Sequence, residues 1–357
     1  MRATWLAAFA LASMIAAVVT PMLRRVAVEV GFVDAPAPHK SHLRPMPYLG
    51  GVAIAGAALG GWLLESGLTK RIGAVAIAAI AIGLMGLVDD HRKLDPWPRL
   101  AVESAAAVAV VAVGVRAEVT SIAAINIAIT IFWIVGVTNA LNLLDNMDGL
   151  SAGIAAVVAA GTFALAAIEG QSALATVVIA LCGACTGFLV YNWRPASIFM
   201  GDAGSLFIGF VLSVAVLEAK SALLYPENLA VPLLLVALPL LDTSVVSIAR
   251  FRRGRSVMSG GRDHLSHRLV SLGVAPGVAV AVLVGAQGVL ALLAVLSGSG
   301  VLPVWSTAAT TVVVLGTLAA VTARANVYGE IPVLLPVRSG RELASAPRPD
   351  NRDLISW

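Results

Sequence analysis

Carboxylates recur in this sequence at short spacing beside apolar runs. Asp89 and Asp90 close one run, Asn142 and Asp145 stand three apart near the end of another, and Asp148 follows three residues later. Met200-Gly201-Asp202-Ala203-Gly204-Ser205 opens a third run. Adjacent carboxylates repel and burial disfavours their charged form, so Asp89 and Asp90 call for either water or a cation. At helical spacing Asn142 and Asp145 share a face, whereas Asp148, ahead of Gly149, can cap the helix that follows. The glycines around Asp202 allow close backbone approach, and amides at a helix start favour an anion. That pattern fits a metal-bridged phosphate or a plain N-cap. His264 and His267 lie among Arg262, Asp263 and Arg268, a mixture of imidazole and guanidinium that suits a polyphosphate or an anionic lipid surface. Lys40, His42 and Arg44 sit between Pro36, Pro38, Pro45 and Pro47, in a loop stiffened by proline. Oxygen ligands with Lys, Arg and His fit Mg²⁺ and phosphates better than a soft metal. Phosphoryl transfer, which depends mainly on positioning and charge neutralisation, is the chemistry such a set can do.

The elements that must hold these groups are apolar. Of 357 residues 59% are hydrophobic and 12% charged, with a mean hydropathy of +0.92, whereas soluble domains carry about 25% charged residues. A soluble enzyme, a disordered chain and a nucleic-acid-binding module are excluded, and no nucleic-acid partner is expected. The two cysteines, Cys182 and Cys185, exclude a disulfide scaffold or a four-ligand zinc site and read as small apolar packing residues. So does the glycine pair Gly183 and Gly187, at the spacing of helix packing.

A bilayer span needs about 20 apolar residues. Eleven segments answer to that, several of them short: 3–23, 49–65, 72–88, 100–115, 121–144, 149–167, 172–190, 203–218, 229–249, 275–297 and 303–322. The first reads as an uncleaved anchor, and Pro232 and Pro239 should bend the ninth. The expected fold is an all-α polytopic membrane protein of about eleven transmembrane helices. It has one membrane-embedded domain (1–322) and a loose tail (323–357) whose apolar stretch 331–337 is too short to span. Taken in alternation, one set of loops holds nineteen of the 24 Lys and Arg. That set is placed in the cytoplasm, leaving the N-terminus outside and the C-terminus inside. All eleven Asp fall in or beside it. Carboxylates at a membrane edge are costly unless wet, paired or metal-bound, so the cytoplasmic face is where the site is expected.

Five cytoplasmic segments together resemble the polyprenyl-phosphate N-acetylhexosamine-1-phosphate transferases, glycosyltransferase family 4. The matching pieces are HKSHLRPMPYLGG, GLVDD, NALNLLDNMDGLSAG, NWRPASIFMGDAGSLFIGF and RDHLSHRL. The resemblance implies attack by a polyprenyl phosphate on the β-phosphorus of a UDP-HexNAc donor at a bacterial inner membrane. It implies release of UMP, a requirement for Mg²⁺ (or Mn²⁺), and a possible homodimer. By motif, Asp89 and Asp90 match the paired acids near the lipid phosphate, one of them a base or phosphate-positioning group. Asn142 and Asp145 match the active-site pair, and Asp202, with Asp145, the metal ligands. His264 and His267 match the histidine motif at the nucleotide-sugar end. Lys40, His42, Asp148, Asn192, Arg194 and Arg262 complete the implied substrate-binding set. This chain departs from the pattern twice. Where Asp-Gly-Leu-Asp-Gly is usual it has Asp145-Asn146-Met147-Asp148-Gly149, and where His-x-His-His is usual it has His264-Leu265-Ser266-His267. The missing middle histidine favours a GlcNAc-type donor over the branch that uses UDP-MurNAc-pentapeptide in peptidoglycan synthesis. A cation-coupled transporter, from another class, would place its acids near the bilayer midplane at broken helices.

Overall fold

The computed structural model describes residues 2–34, 44–64, 69–219, 229–325 and 327. Lys40, His42 and the tail beyond residue 327 lie outside them. The chain opens with α1 (Arg2–Glu29), followed by a two-stranded antiparallel ribbon, β1 (Val33–Asp34) and β2 (Met46–Pro47). Then come α2 (Gly50–Trp62), α3 (Lys70–Arg92), α4 (Pro96–Ala112), α5 (Ala123–Leu143), α6 (Leu150–Ile168), α7 (Ser172–Asn192) and α8 (Gly201–Glu218). The last five are α9 (Ala230–Leu235), α10 (Ala237–Phe251), α11 (Leu265–Ser271), α12 (Pro276–Gly298) and α13 (Val304–Ala323).

Each of the eleven expected segments contains helix, and among the described residues eight helices are long and apolar enough to cross a membrane. The protein is an all-α multi-pass membrane protein. Helices α2 and α4 are shorter than that length, and the proline-bearing segment 229–249 is broken into α9 and α10 at Val236. A break in a low-dielectric interior leaves backbone groups to be satisfied. Buried Gln287 of α12 does this, accepting from Leu238 N at 3.1 Å and donating to the Leu235 carbonyl at 2.9 Å.

Helix α8 is the axis of the bundle. It buries nearly its whole length, packed against α2, α3 and α5, which explains why Gly, Ala and Ser punctuate its sequence. Small residues let helix backbones meet where lipid offers no hydrophobic drive for association. The amides of Gly50 and Gly51 donate to the carbonyls of Phe199 (3.1 Å) and Met200 (2.9 Å). A Cβ on Gly51 would lie 2.7 Å from the Met200 carbonyl oxygen and overlap the Gly204 backbone, so α2 and the start of α8 meet backbone to backbone. Gly183 and Gly187 of α7 play the same part against the backbone of Phe9 and Ser13 in α1, which bears out the packing reading of that glycine pair.

Candidate active site

The C-terminal ends of α3, α5 and α7 meet the N-terminal ends of α6 and α8 at one end of the bundle. Between them lies a cavity of about 510 Å³. Six aspartates line it, Asp34, Asp89, Asp90, Asp145, Asp148 and Asp202, against Lys93, Arg262 and His267.

Asp202 occupies the first turn of α8 and does not cap it. The cap comes from another helix: Asp90 of α3 accepts the amides of Asp202 (2.8 Å) and Ala203 (3.1 Å) through its two oxygens. A carboxylate on the free amides of a helix start is favoured by both hydrogen bonding and the helix dipole. Asp90 therefore locks α3 to α8, while its neighbour Asp89 turns the other way. Asp89 accepts the Leu94 amide (2.7 Å), lies 3.6 Å from the Arg99 guanidinium, and comes within hydrogen-bonding contact of the Asp202 carboxyl. Asn142 donates to Asp202 (2.7 Å) and reaches Ser205 Oγ at 2.9 Å.

Helix α5 ends at Leu143, so Asp145 stands in the turn beyond it and shares no helical face with Asn142. Burial, then Asp202, Asp90 and Asp148, push its carboxyl up to about 8. Asp148 does not cap α6. Gly149, at φ 75°, takes the N-cap position, and Asp148 accepts the Ala196 amide (3.1 Å) with Arg194 3.9 Å away. Asn192 clamps the same corner, accepting from Gly149 N and donating to the Ile198 carbonyl, each at 3.0 Å.

The histidine segment is fastened to α10 by two acid–base pairs. Arg250 grips Asp263 through two parallel bonds of 2.7 and 2.9 Å, both residues fully buried. Asp242 accepts the Leu265 amide at 2.7 Å and lies 2.7 Å from His264 Nδ1. His264 is buried there and does not line the cavity, although the resemblance placed it with His267 at the nucleotide-sugar end. His267 does line it, and its Nδ1 is buried with no hydrogen-bond partner among the described residues. Burial, His264 and Arg262 push its imidazole down to about 4, so it is neutral near pH 7.

Several residues at the site were missed by sequence reasoning. Buried Glu103 pairs with the Asn139 amide and lies 3.6 Å from Arg99, linking α4 and α5 to Asp89. The available signal was a charged residue inside an apolar span. Asp242 gave the same signal. Tyr48, its phenol pushed up by burial and by Asp34, forms a wall with Phe199, and no spacing pointed to it.

Among the described residues no three His, Cys, Asp or Glu side chains are arranged to hold a metal ion by themselves. The donor set nonetheless fits a hard cation. Two touching carboxylates and a third surrounded by acids need positive charge between them, and Mg²⁺ is usually held by one or two carboxylates, with water and substrate phosphates completing its shell.

A multi-pass α-helical membrane protein with an acid-rich cavity at one end of its bundle is the class that fold and site define. The glycosyl transferase family 4 profile matches residues 72–220. Over 289 residues the chain is 31% identical to the probable undecaprenyl-phosphate N-acetylglucosaminyl 1-phosphate transferase of Bacillus subtilis (strain 168), covering 77% of this chain and 80% of that protein. It is 32% identical to the decaprenyl-phosphate N-acetylglucosaminephosphotransferase of Mycolicibacterium smegmatis, covering 71% and 72%. It is 27% identical to the undecaprenyl-phosphate alpha-N-acetylglucosaminyl 1-phosphate transferase of Escherichia coli (strain K12), covering 79% and 81%. The chain belongs to glycosyl transferase family 4.

Proposed function

We propose that this protein transfers a HexNAc-1-phosphate, most readily GlcNAc-1-phosphate, from a UDP-sugar to a polyprenyl phosphate at the cytoplasmic face of a bacterial inner membrane, releasing UMP. The observation that carries this reading is the meeting of Asp89, Asp145 and Asp202 with Arg262 and His267 around one cavity. A diphosphate donor and a phosphate nucleophile need charge neutralisation and alignment, and little else, from the protein. The acids gather at one end of the bundle, which speaks against a transporter with a midplane site.

Asp202 and Asp145, with Asp89 beside them, would hold Mg²⁺ or Mn²⁺, whose role when bound is to neutralise charge on the diphosphate and on the departing UMP. Asn142 holds the Asp202 carboxylate in place, and Asp90 sets the depth of Asp202 by capping α8. Asp89 is the paired acid with an oxygen turned toward Asp202 and the cavity, placed to orient the acceptor phosphate. At the other wall Arg262 supplies a fixed positive charge to the donor. Neutral His267 offers its unpartnered Nδ1 as a hydrogen-bonding group, and His264, held by Asp242, positions it.

Purified protein with undecaprenyl phosphate, Mg²⁺ and a panel of UDP-sugars tests this directly. UMP release, fastest with UDP-GlcNAc, is the expected result. No UMP from any donor, with cation uptake in proteoliposomes, would overturn the reading in favour of a transporter.

A further inference from the structure

Two of the three positions at which the chain departs from the family pattern, Asn146 and Ser266, touch each other. Ser266 Oγ donates to Asn146 Oδ1 at 2.6 Å across 120 residues of sequence. The Asn146 Nδ2 donates to the Leu143 carbonyl at 3.0 Å, which fixes the amide with its oxygen toward Ser266. Ser266 is 1% exposed, while Asn146 lines the cavity. Each is next in sequence to a residue that faces the cavity, Asn146 to Asp145 and Ser266 to His267. A glycine at 146 could accept no such bond, so hydroxyl and amide are complementary replacements.

We infer that the Asn146–Ser266 hydrogen bond is a positioning and specificity element for the nucleotide-sugar donor: it ties the acid turn 144–149 to α11 and thereby sets the gap between Asp145 and His267. The inference rests on the transferase reading. Neither residue need touch the reacting atoms. The pair acts through its neighbours, and it replaces an imidazole in the motif by a neutral hydroxyl–amide contact. A donor diphosphate lying between the acid turn and the histidine helix senses that gap, whereas a lipid phosphate approaching Asp89 from α3 does not.

The test is a cycle of Asn146→Gly, Ser266→Ala and the double variant, assayed by UMP release with UDP-GlcNAc and undecaprenyl phosphate varied separately. A buried neutral hydrogen bond is worth enough to change binding by roughly two- to tenfold. Each single variant should raise the KM for UDP-GlcNAc by that factor and leave the KM for undecaprenyl phosphate within about twofold. The double variant should be no worse than the worse single one, because the second change removes nothing further. Ser266→Thr, which keeps the hydroxyl, should retain the wild-type donor KM. Ser266→His alone should be more damaging, since its ring meets Asn146, and adding Asn146→Gly should restore activity. Multiplying single effects, equal shifts in the lipid KM, or no rescue of Ser266→His by Asn146→Gly would each overturn the inference. No UMP from the wild-type protein would instead overturn the transferase reading on which it rests.

Discussion

Gly86 offers a sharp test of how the site is positioned. It lies on α3 one turn before the paired acids, facing the start of α8. A Cβ placed there would stand 2.5 Å from the Asp202 carbonyl carbon and 2.6 Å from the Ala203 nitrogen, and would overlap the Asp202 carbonyl oxygen. Ordinary contact begins near 3.4 Å, so Gly86→Ala must drive the two backbones apart by about 0.9 Å, and interiors this dense transmit such strain. The Asp90 bonds to the amides of Asp202 and Ala203, now 2.8 and 3.1 Å, would stretch to about 3.7 and 4.0 Å, beyond hydrogen-bonding range. Misplacement of a reacting group by about 1 Å costs on the order of a hundredfold in rate, and Asp202 rides on the displaced turn. The matched control is Gly83→Ala, one turn earlier on the same face, where a Cβ meets Ala203 O at 3.6 Å and Phe207 Cβ at 3.7 Å. Both substitutions gain the same helix propensity of about 1 kcal/mol, so propensity cannot produce a difference between them. Measured as UMP release by protein purified from membranes in equal yield, Gly83→Ala should match wild type and Gly86→Ala should fall by about a hundredfold. Activity of Gly86→Ala within threefold of wild type would refute the idea that α3 sets the depth of Asp202.

Asp202→Asn should abolish UMP release while leaving the protein in the membrane, and a chelator should stop turnover of the wild type. Full activity in either case would remove the metal-site assignment. Asp242→Asn takes a charged acceptor from His264 Nδ1 and from the Leu265 amide, both at 2.7 Å. Hydrogen bonds to charged groups contribute about 1.5–3 kcal/mol, so kcat should fall by roughly ten- to a hundredfold, with the lipid KM unchanged. An unchanged kcat would mean that His264 needs no orienting partner. The His267 imidazole, held down to about 4 in the fold, takes up its proton in the unfolded chain near the ordinary 6.5. Between those values the unfolded state binds the extra proton, so stability is lost as pH falls through that window. Thermal midpoints should drop less in His267→Gln than in wild type from pH 6.5 to pH 4.5, and parallel drops would contradict a buried neutral imidazole.

Composition and hydropathy made the all-α membrane fold legible, because hydropathy is a property of single segments. The helix lengths were less so. The gap at Val236 depends on Gln287, 49 residues away from Leu238, and Pro232 and Pro239 announced a bend but not its partner. Within the site, the residue types were readable and their division of labour was not. Asp89 and Asp90 are adjacent and chemically identical, yet one caps α8 and the other faces Arg99 and Asp202. Successive residues on a helix point about 100° apart, so a single helix can serve two neighbours, but the neighbours come from the tertiary packing of α8 and α4.

The same reasoning explains His264 and His267. Three residues apart, they look like one motif, but α11 begins at Leu265 and turns His267 toward the cavity while His264, ahead of the first turn, faces Asp242. The pairing partner is a lone acid in an apolar helix, a residue type that is costly in such a place unless it is satisfied. Asp242 and Glu103 are the two such acids near the site, each joined to a residue that touches the cavity wall or the residue beside it. In this chain an acid within a span marks support behind the site, as Asp90 does from the end of α3. It marks that support without naming the helix across from it, and that is why the buried partners could be read only from the fold.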